Sequence, residues 1–234
     1  YGVNFNDNTY FVSFSTPDDP GLPAKVLNVY PEVPRLDLES EVESSTIQAD
    51  RAFIFGSPMD TKRIVRGTLP AGRDRYTIKG SIPDPALFAA FHLRQRLVEA
   101  GIPVSQRPES EYDHFREPVT YKEIAEVSSP PLKDLVRHIN LESDNLMAEG
   151  LLLQLGAKTG DASIEGGLDA LRSFFKGVWG ENARFFAYDG SGLSRFNSVS
   201  AEQICDLLVR ANSNQVLKTH LLNVLPRAGK EGSV

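Results

Sequence analysis

Cysteine is nearly absent from this chain: Cys205 is the single one in 234 residues, so no disulfide can form within it. Placed beside Ile204, Leu207 and Leu208 in a helical pattern, Cys205 is expected to be a small core residue, and cysteine usage leaves the redox compartment open. Histidine is scarce as well. His92, His114, His138 and His220 are scattered without metal-ligand spacing, so no zinc site is indicated. Basic residues are not in excess: 25 Lys and Arg against 31 Asp and Glu give a formal charge of -6, and no Lys/Arg stripe emerges to neutralise phosphates. That balance argues against a nucleic-acid partner. Long apolar runs are missing too, since stretches such as Leu151-Leu152-Leu153 are far too short to cross a bilayer. There is no convincing internal repeat. What remains, 41% hydrophobic and 24% charged residues, is ordinary for a soluble globular chain with one large core or two modest ones.

The texture changes once along the chain. Residues 1 to about 82 carry alternating and β-branched runs at 9–14, 25–30 and 75–79, which read as strands. Turn clusters at 16–21, 56–58 and 69–72 separate them. From Asp84, an N-cap followed by Pro85 at the first helical position, Leu87, Phe88, Phe91, Leu97 and Val98 outline a helix that ends at Gly101. A strand around 121–127 is then expected, followed by helices near 131–140, 144–155, 166–178, 200–212 and 214–224. Gly156 reads as the C-cap of the second of these, and Leu168, Leu171, Phe174, Phe175 and Val178 as the core face of the third.

Two motifs in the helical half carry chemistry. In Ser143-Asp144-Asn145 a hydroxyl and a carboxamide stand two residues apart, where they can line one wall of a cleft, the first relaying a proton and the second holding a carbonyl. The plainer reading makes Ser143 the N-cap of a helix running from about Asp144; both readings can hold together. Asp189-Gly190-Ser191-Gly192-Leu193-Ser194-Arg195 follows an apparent strand at 184–188, and its two glycines imply an unusual backbone path or simply a surface turn. Two further matches mislead. Ser173-Phe174-Phe175-Lys176 fits Ser-x-x-Lys but lies inside an amphipathic helix, and Lys158-Thr159-Gly160 fits Lys-Thr-Gly but follows a helix instead of forming a strand edge.

In order and spacing, Ser129-Pro130-Pro131-Leu132, Glu142-Ser143-Asp144-Asn145-Leu146, the 189–195 segment with Asn197, and Leu225-Pro226 with Ala228-Gly229 resemble the class C low-molecular-mass penicillin-binding proteins. These are the D-alanyl-D-alanine carboxypeptidase/endopeptidase family, and the resemblance covers essentially every residue. It implies an α+β fold: a β-lactamase/transpeptidase-like catalytic domain, present in part and mostly as its helical side over 83–234, with an inserted β-rich accessory region over 1–82. It implies a serine-type enzyme working through an acyl-enzyme, in which Ser143 relays a proton toward the leaving nitrogen and Asn145 binds the substrate's peptide carbonyl and the lysine of the nucleophile motif. Arg195 is matched to an arginine that pairs with a stem-peptide carboxylate in some members. The nucleophile's Ser-x-x-Lys and the Lys-Thr-Gly strand are expected outside these residues, so the chain reads as an internal fragment, catalytically incomplete by itself. The implied partners are the peptidoglycan stem peptide and, in the complete enzyme, β-lactams, in a periplasmic or extracytoplasmic setting with no metal or organic cofactor. The rivals are a serine β-lactamase of the same superfold and a non-catalytic cell-wall binding protein on this scaffold.

Overall fold

The structure, a computed structural model, describes residues 3–110, 123, 125–181 and 184–232, and the chain divides into two compact units, 1–122 and 123–234. In the first unit, alternation along the chain becomes strand β1 (Thr9–Thr16), followed by β2 (Lys25–Tyr30), β3 (Asp37–Ser45), β4 (Arg51–Phe55), β5 (Lys62–Pro70), β6 (Arg73–Ser81) and helix α1 (Pro85–Glu99). They make two three-stranded sheets, β2-β1-β6 and β3-β5-β4; all pairs are antiparallel except β3 with β5. Tyr10, Val12 and Phe14 recur at the two-residue period of a strand and are fully buried. With Val42, Val65 and Leu69 from the second sheet and Phe88 from α1 they form a single core. Register and packing agree at Gly80, which pairs with Tyr10: a Cβ there would lie 2.5 Å from Tyr10 Cζ, so the ring needs the glycine's empty place. The chain crosses between sheets at the Ala71-Gly72 turn, where Gly72 takes φ +67 and Thr16 Oγ1 both donates to Pro70 O (2.6 Å) and accepts from Arg73 N (2.9 Å).

Helix α1 starts as its sequence dictates, with the Asp84 carboxylate accepting from Leu87 N at 2.9 Å, and stops at Gly101, whose φ is +79. Its buried Leu87 and Phe88 belong to the first unit, so that unit runs past the change of texture near residue 82. Of the strand expected around 121–127, residues 121, 122 and 124 lie outside the described ones, and Glu123 and 125–127 carry no strand.

The second unit holds α2 (Leu132–Glu142), α3 (Asn145–Lys158), α4 (Ile164–Trp179), α5 (Ala201–Ser213) and α6 (Gln215–Val224). Each of the last four opens on a capping side chain: Asp144, Ser163, Ser200 and Asn214 accept from backbone amides of the first turn. Gly156 is not a C-cap. The helix continues to Lys158, and Gly156 marks where α3 meets α4: a Cβ on it would stand 2.6 Å from Gly167 N. Leu152, Leu168 and Ala187 form the core there, with Leu171 and Phe185 packed against them. The rings of Phe175 and Trp179 stack at 4.6 Å between centroids, and Trp179 Nε1 donates to Asp206 Oδ2 at 2.9 Å, which ties α4 to α5. Two expectations fail on the helix surfaces. Phe174 is 60% exposed, since Leu168, Leu171, Phe175 and Val178 already share one face and position 174 lies off it. Cys205 is exposed as well: the side of α5 bearing Ile204, Cys205 and Leu208 has no covering element among the described residues.

Candidate active site

Helix α2 turns into α3 within two residues, and that junction is the Ser143-Asp144-Asn145 tripeptide. Ser143 ends α2 in the left-handed region (φ 56, ψ 46), its amide bonding back to Ile139 O. Asp144, not Ser143, is the N-cap of α3: its Oδ1 accepts from Met147 N at 2.9 Å, and its Oδ2 lies 3.6 Å from His138 Nε2. The capping expectation for Ser143 is thereby corrected by one residue, because a serine in the left-handed conformation closes the preceding helix instead of opening the next. Asn145 is the first residue of α3. Ser143 and Asn145 are both exposed, and neither side chain is engaged in a hydrogen bond among the described residues.

The segment that carries Arg195 docks on α3 four residues further along. The Glu149 carboxylate accepts from Gly190 N (3.1 Å), Ser191 N (3.0 Å) and Ser191 Oγ (2.6 Å). Gly190 sits so close to the helix that a Cβ would come 2.8 Å from Ala148 O and 3.0 Å from Leu152 Cβ. Beyond it Asp189 organises the turn, its carboxylate taking Gly192 N (2.9 Å), Ser194 N (2.6 Å) and Asn197 Nδ2 (2.7 Å). Desolvation acts to raise the Asp189 carboxyl, but the donors of Asn197, Ser194, Gly192 and Leu193 outweigh it and hold the group below the ordinary carboxylate range. The strand expected over 184–188 reduces to one bridge, Phe186 with Ser198, because the chain folds back at once around Asp189. Arg195 is exposed and has no hydrogen bond or ion pair among the described residues.

One helix thus carries Asn145 at its start and, one turn later, the anchor of the Arg195 loop; no hydrogen bond joins Arg195 to Ser143 or Asn145. Glu149 is the member that sequence reasoning missed. A glutamate on a helix surface draws no notice, and only its i, i+4 spacing from Asn145 could have marked it. The misleading matches fall elsewhere: Lys158 ends α3, and Ser173 is exposed within α4, where Lys176 pairs with Glu181. Neither is bonded to the other or to Ser143. After α6 the chain returns to α2, where Glu231 Oε1 accepts from Arg137 Nη2 (3.1 Å) and Arg227 Nη2 (3.0 Å). Those guanidinium groups, Arg227 foremost, lower the Glu231 carboxyl to about 2. Chemically, the junction offers an unengaged hydroxyl and an unengaged carboxamide, while the braced 189–197 loop carries a guanidinium with no bonded partner among the described residues.

Residues 2–234 match the family model described as the D-Ala-D-Ala carboxypeptidase 3 (S13) family. A D-alanyl-D-alanine carboxypeptidase of Actinomadura sp. (strain R39) is 27% identical over 208 residues, which are 83% of this chain and 36% of that protein. The D-alanyl-D-alanine carboxypeptidase DacB of Haemophilus influenzae is 23% identical over 238 residues, 99% of this chain and 48% of that one. A crystal structure of penicillin binding protein 4 from the same organism, complexed with a β-lactam, superposes with a TM-score of 0.78 at 24% identity, covering 99% of this chain and 53% of that chain. At that identity the likeness speaks to fold, and the fold is the α+β arrangement expected. The chain spans about a third to a half of the length of these relatives.

Proposed function

The chain belongs to the D-Ala-D-Ala carboxypeptidase 3 (S13) family, and on that premise we propose that it is the part of a serine-type D-alanyl-D-alanine carboxypeptidase that supplies the Ser-x-Asn wall and an arginine loop of the substrate cleft. The observation that carries this reading is the state of the tripeptide: Asp144 takes the capping duty, while Ser143 and Asn145 keep unengaged side chains on either side of it. Acyl transfer from a D-Ala-D-Ala amide needs a nucleophilic serine with a base, oxyanion donors, and a path for a proton to the departing amine. Ser143 Oγ would pass that proton to the nitrogen as the amide C–N bond breaks, and Asn145 would hold the carbonyl of the stem peptide. Arg195 would meet a stem carboxylate. The nucleophile, its lysine and the Lys-Thr-Gly strand would come from sequence outside these 234 residues, since Lys158 and Ser173 are a helix end and a helix face. The substrate would be the peptidoglycan stem peptide outside the cytoplasm, with β-lactams as acylating mimics, and the first unit would be the accessory region.

The test is acylation by a fluorescent penicillin. The full-length protein is expected to take up one label, and Ser143→Ala to slow that step by about two to four powers of ten, the usual worth of a positioned proton-transfer group. Unchanged acylation in Ser143→Ala, or stoichiometric labelling of the 234-residue chain alone, would overturn the assignment.

A further inference from the structure

Asn145 and Glu149 are four residues apart on α3, so they stand on one face with about 5–6 Å between their Cβ atoms. The first belongs to the tripeptide and the second holds the neighbouring loop. Three donors converge on that carboxylate, from Gly190 N, Ser191 N and Ser191 Oγ. The seat is also steric, because Gly190 lies directly against Ala148 O and the Leu152 side chain. Beyond Gly190, the Asp189 carboxylate binds the amides of Gly192 and Ser194 and the Asn197 side chain, so the turn behaves as one braced body. Arg195 lies inside it, between Ser194 and Asn197. A shift at Gly190-Ser191 therefore carries Arg195 with it.

We propose that Glu149 is a positioning residue of this site: its clamp on Gly190 and Ser191 sets where the Arg195 guanidinium stands relative to Ser143 and Asn145, and thereby how tightly a substrate carboxylate is held. This rests on the carboxypeptidase reading given above. Methionine is the informative replacement, since it keeps the length and approximate volume but removes both carboxylate oxygens, whereas glutamine would retain an amide oxygen able to accept from all three donors.

Two measurements on Glu149→Met test this. Amide hydrogen exchange at Gly190 and Ser191 is expected to quicken at least about tenfold as their acceptor is lost, while Leu152 and Leu153 within α3 keep their protection. Unchanged exchange at both amides overturns the clamp whatever the protein catalyses. In the full-length protein, KM for a stem peptide bearing a side-chain carboxylate is expected to rise about ten- to a hundredfold with kcat within about threefold, the scale of an ångström-sized misplacement. The same peptide with that carboxylate amidated should show KM changed by less than about threefold, and Gly190→Ala, which lifts the loop off Ala148, should reproduce the pattern. Equal losses on both peptides, or a fall in kcat alone, would show a general packing role and refute positioning. A wild-type protein that cleaves neither peptide would sink the carboxypeptidase reading and the substrate half of this inference with it, leaving the exchange measurement to decide the clamp.

Discussion

Two glycines of α3 are predicted to answer the same substitution with opposite signs. At Gly150 an added Cβ would meet no atom within 4 Å, whereas at Gly156 it would stand 2.6 Å from Gly167 N and also press on Asp161 O. Alanine is better than glycine in a helix interior by about 0.8–1.0 kcal/mol, so Gly150→Ala should stabilise the second unit by about that amount. At Gly156 the same gain is present but the collision is with backbone, which no rotamer change can relieve. Restoring ordinary contact, at 3.4 Å or more, would push α4 off α3 by about 0.8 Å and loosen Leu152 against Leu168. Overpacking costs about 1–3 kcal/mol, and a collision with backbone on both Asp161 and Gly167 belongs to the upper part of that range, about 2–3 kcal/mol, which leaves a net loss of about 1–2 kcal/mol for Gly156→Ala. Urea unfolding followed by far-UV circular dichroism separates the two. With a slope of about 2 kcal/mol per M, the midpoint should rise by about 0.4 M for Gly150→Ala and fall by about 0.5–1 M for Gly156→Ala at unchanged slope. Equal rises in both variants would refute the close approach of α3 to α4.

Glu231 should add acid sensitivity of known sign. Arg227 and Arg137 hold its folded-state carboxyl at about 2 against an ordinary 4.5, so its contribution to stability is complete above 4.5 and is lost as pH falls toward about 2. Urea midpoints measured between those limits should fall less steeply in Glu231→Gln than in the wild type; parallel slopes would contradict the pairing. Ser143→Gly should stabilise the fold by about 0.5–1 kcal/mol, because the left-handed backbone at 143 suits glycine, while acylation of the full-length protein falls as in Ser143→Ala. A destabilised Ser143→Gly, read by thermal unfolding, would remove the claim of strain.

Most helices were legible from their pattern, and one from its cap. Asp84 announces α1, and the helices expected near 166–178, 200–212 and 214–224 fall within two residues of α4, α5 and α6, whose caps Ser163, Ser200 and Asn214 the structure supplies. Strands β1, β2 and β6 were legible from alternation, but β3 was not: Glu39, Glu41 and Glu43 dominate it, and only Val42 and Ser44 reach the interior. Where reading failed, tertiary packing decided. Gly156 looks like a helix stop and is a helix crossing; Cys205 looks like core and is exposed; 184–188 looks like a strand and is a single bridge. The site divides in the same way. Ser143, Asn145 and Arg195 come from linear motifs, whereas Glu149 acquires its role only when residues 190 and 191, far along the chain, fold onto it.

The tripeptide shows how one short segment can serve fold and chemistry at once. A two-residue helix junction has two structural demands, a residue that ends α2 in the left-handed region and a side chain that caps α3. Glycine or asparagine would meet the first more cheaply, since a left-handed backbone costs an ordinary residue about 1 kcal/mol or more. Asp144 meets the second, through Met147 N, and so frees Asn145 from any capping duty. Ser143 is then the one position where the local fold would prefer a different residue, and its hydroxyl answers no structural need among the described residues. An outlier of that kind, two residues from an unengaged carboxamide, is what the proposed proton-relay role of Ser143 would select for.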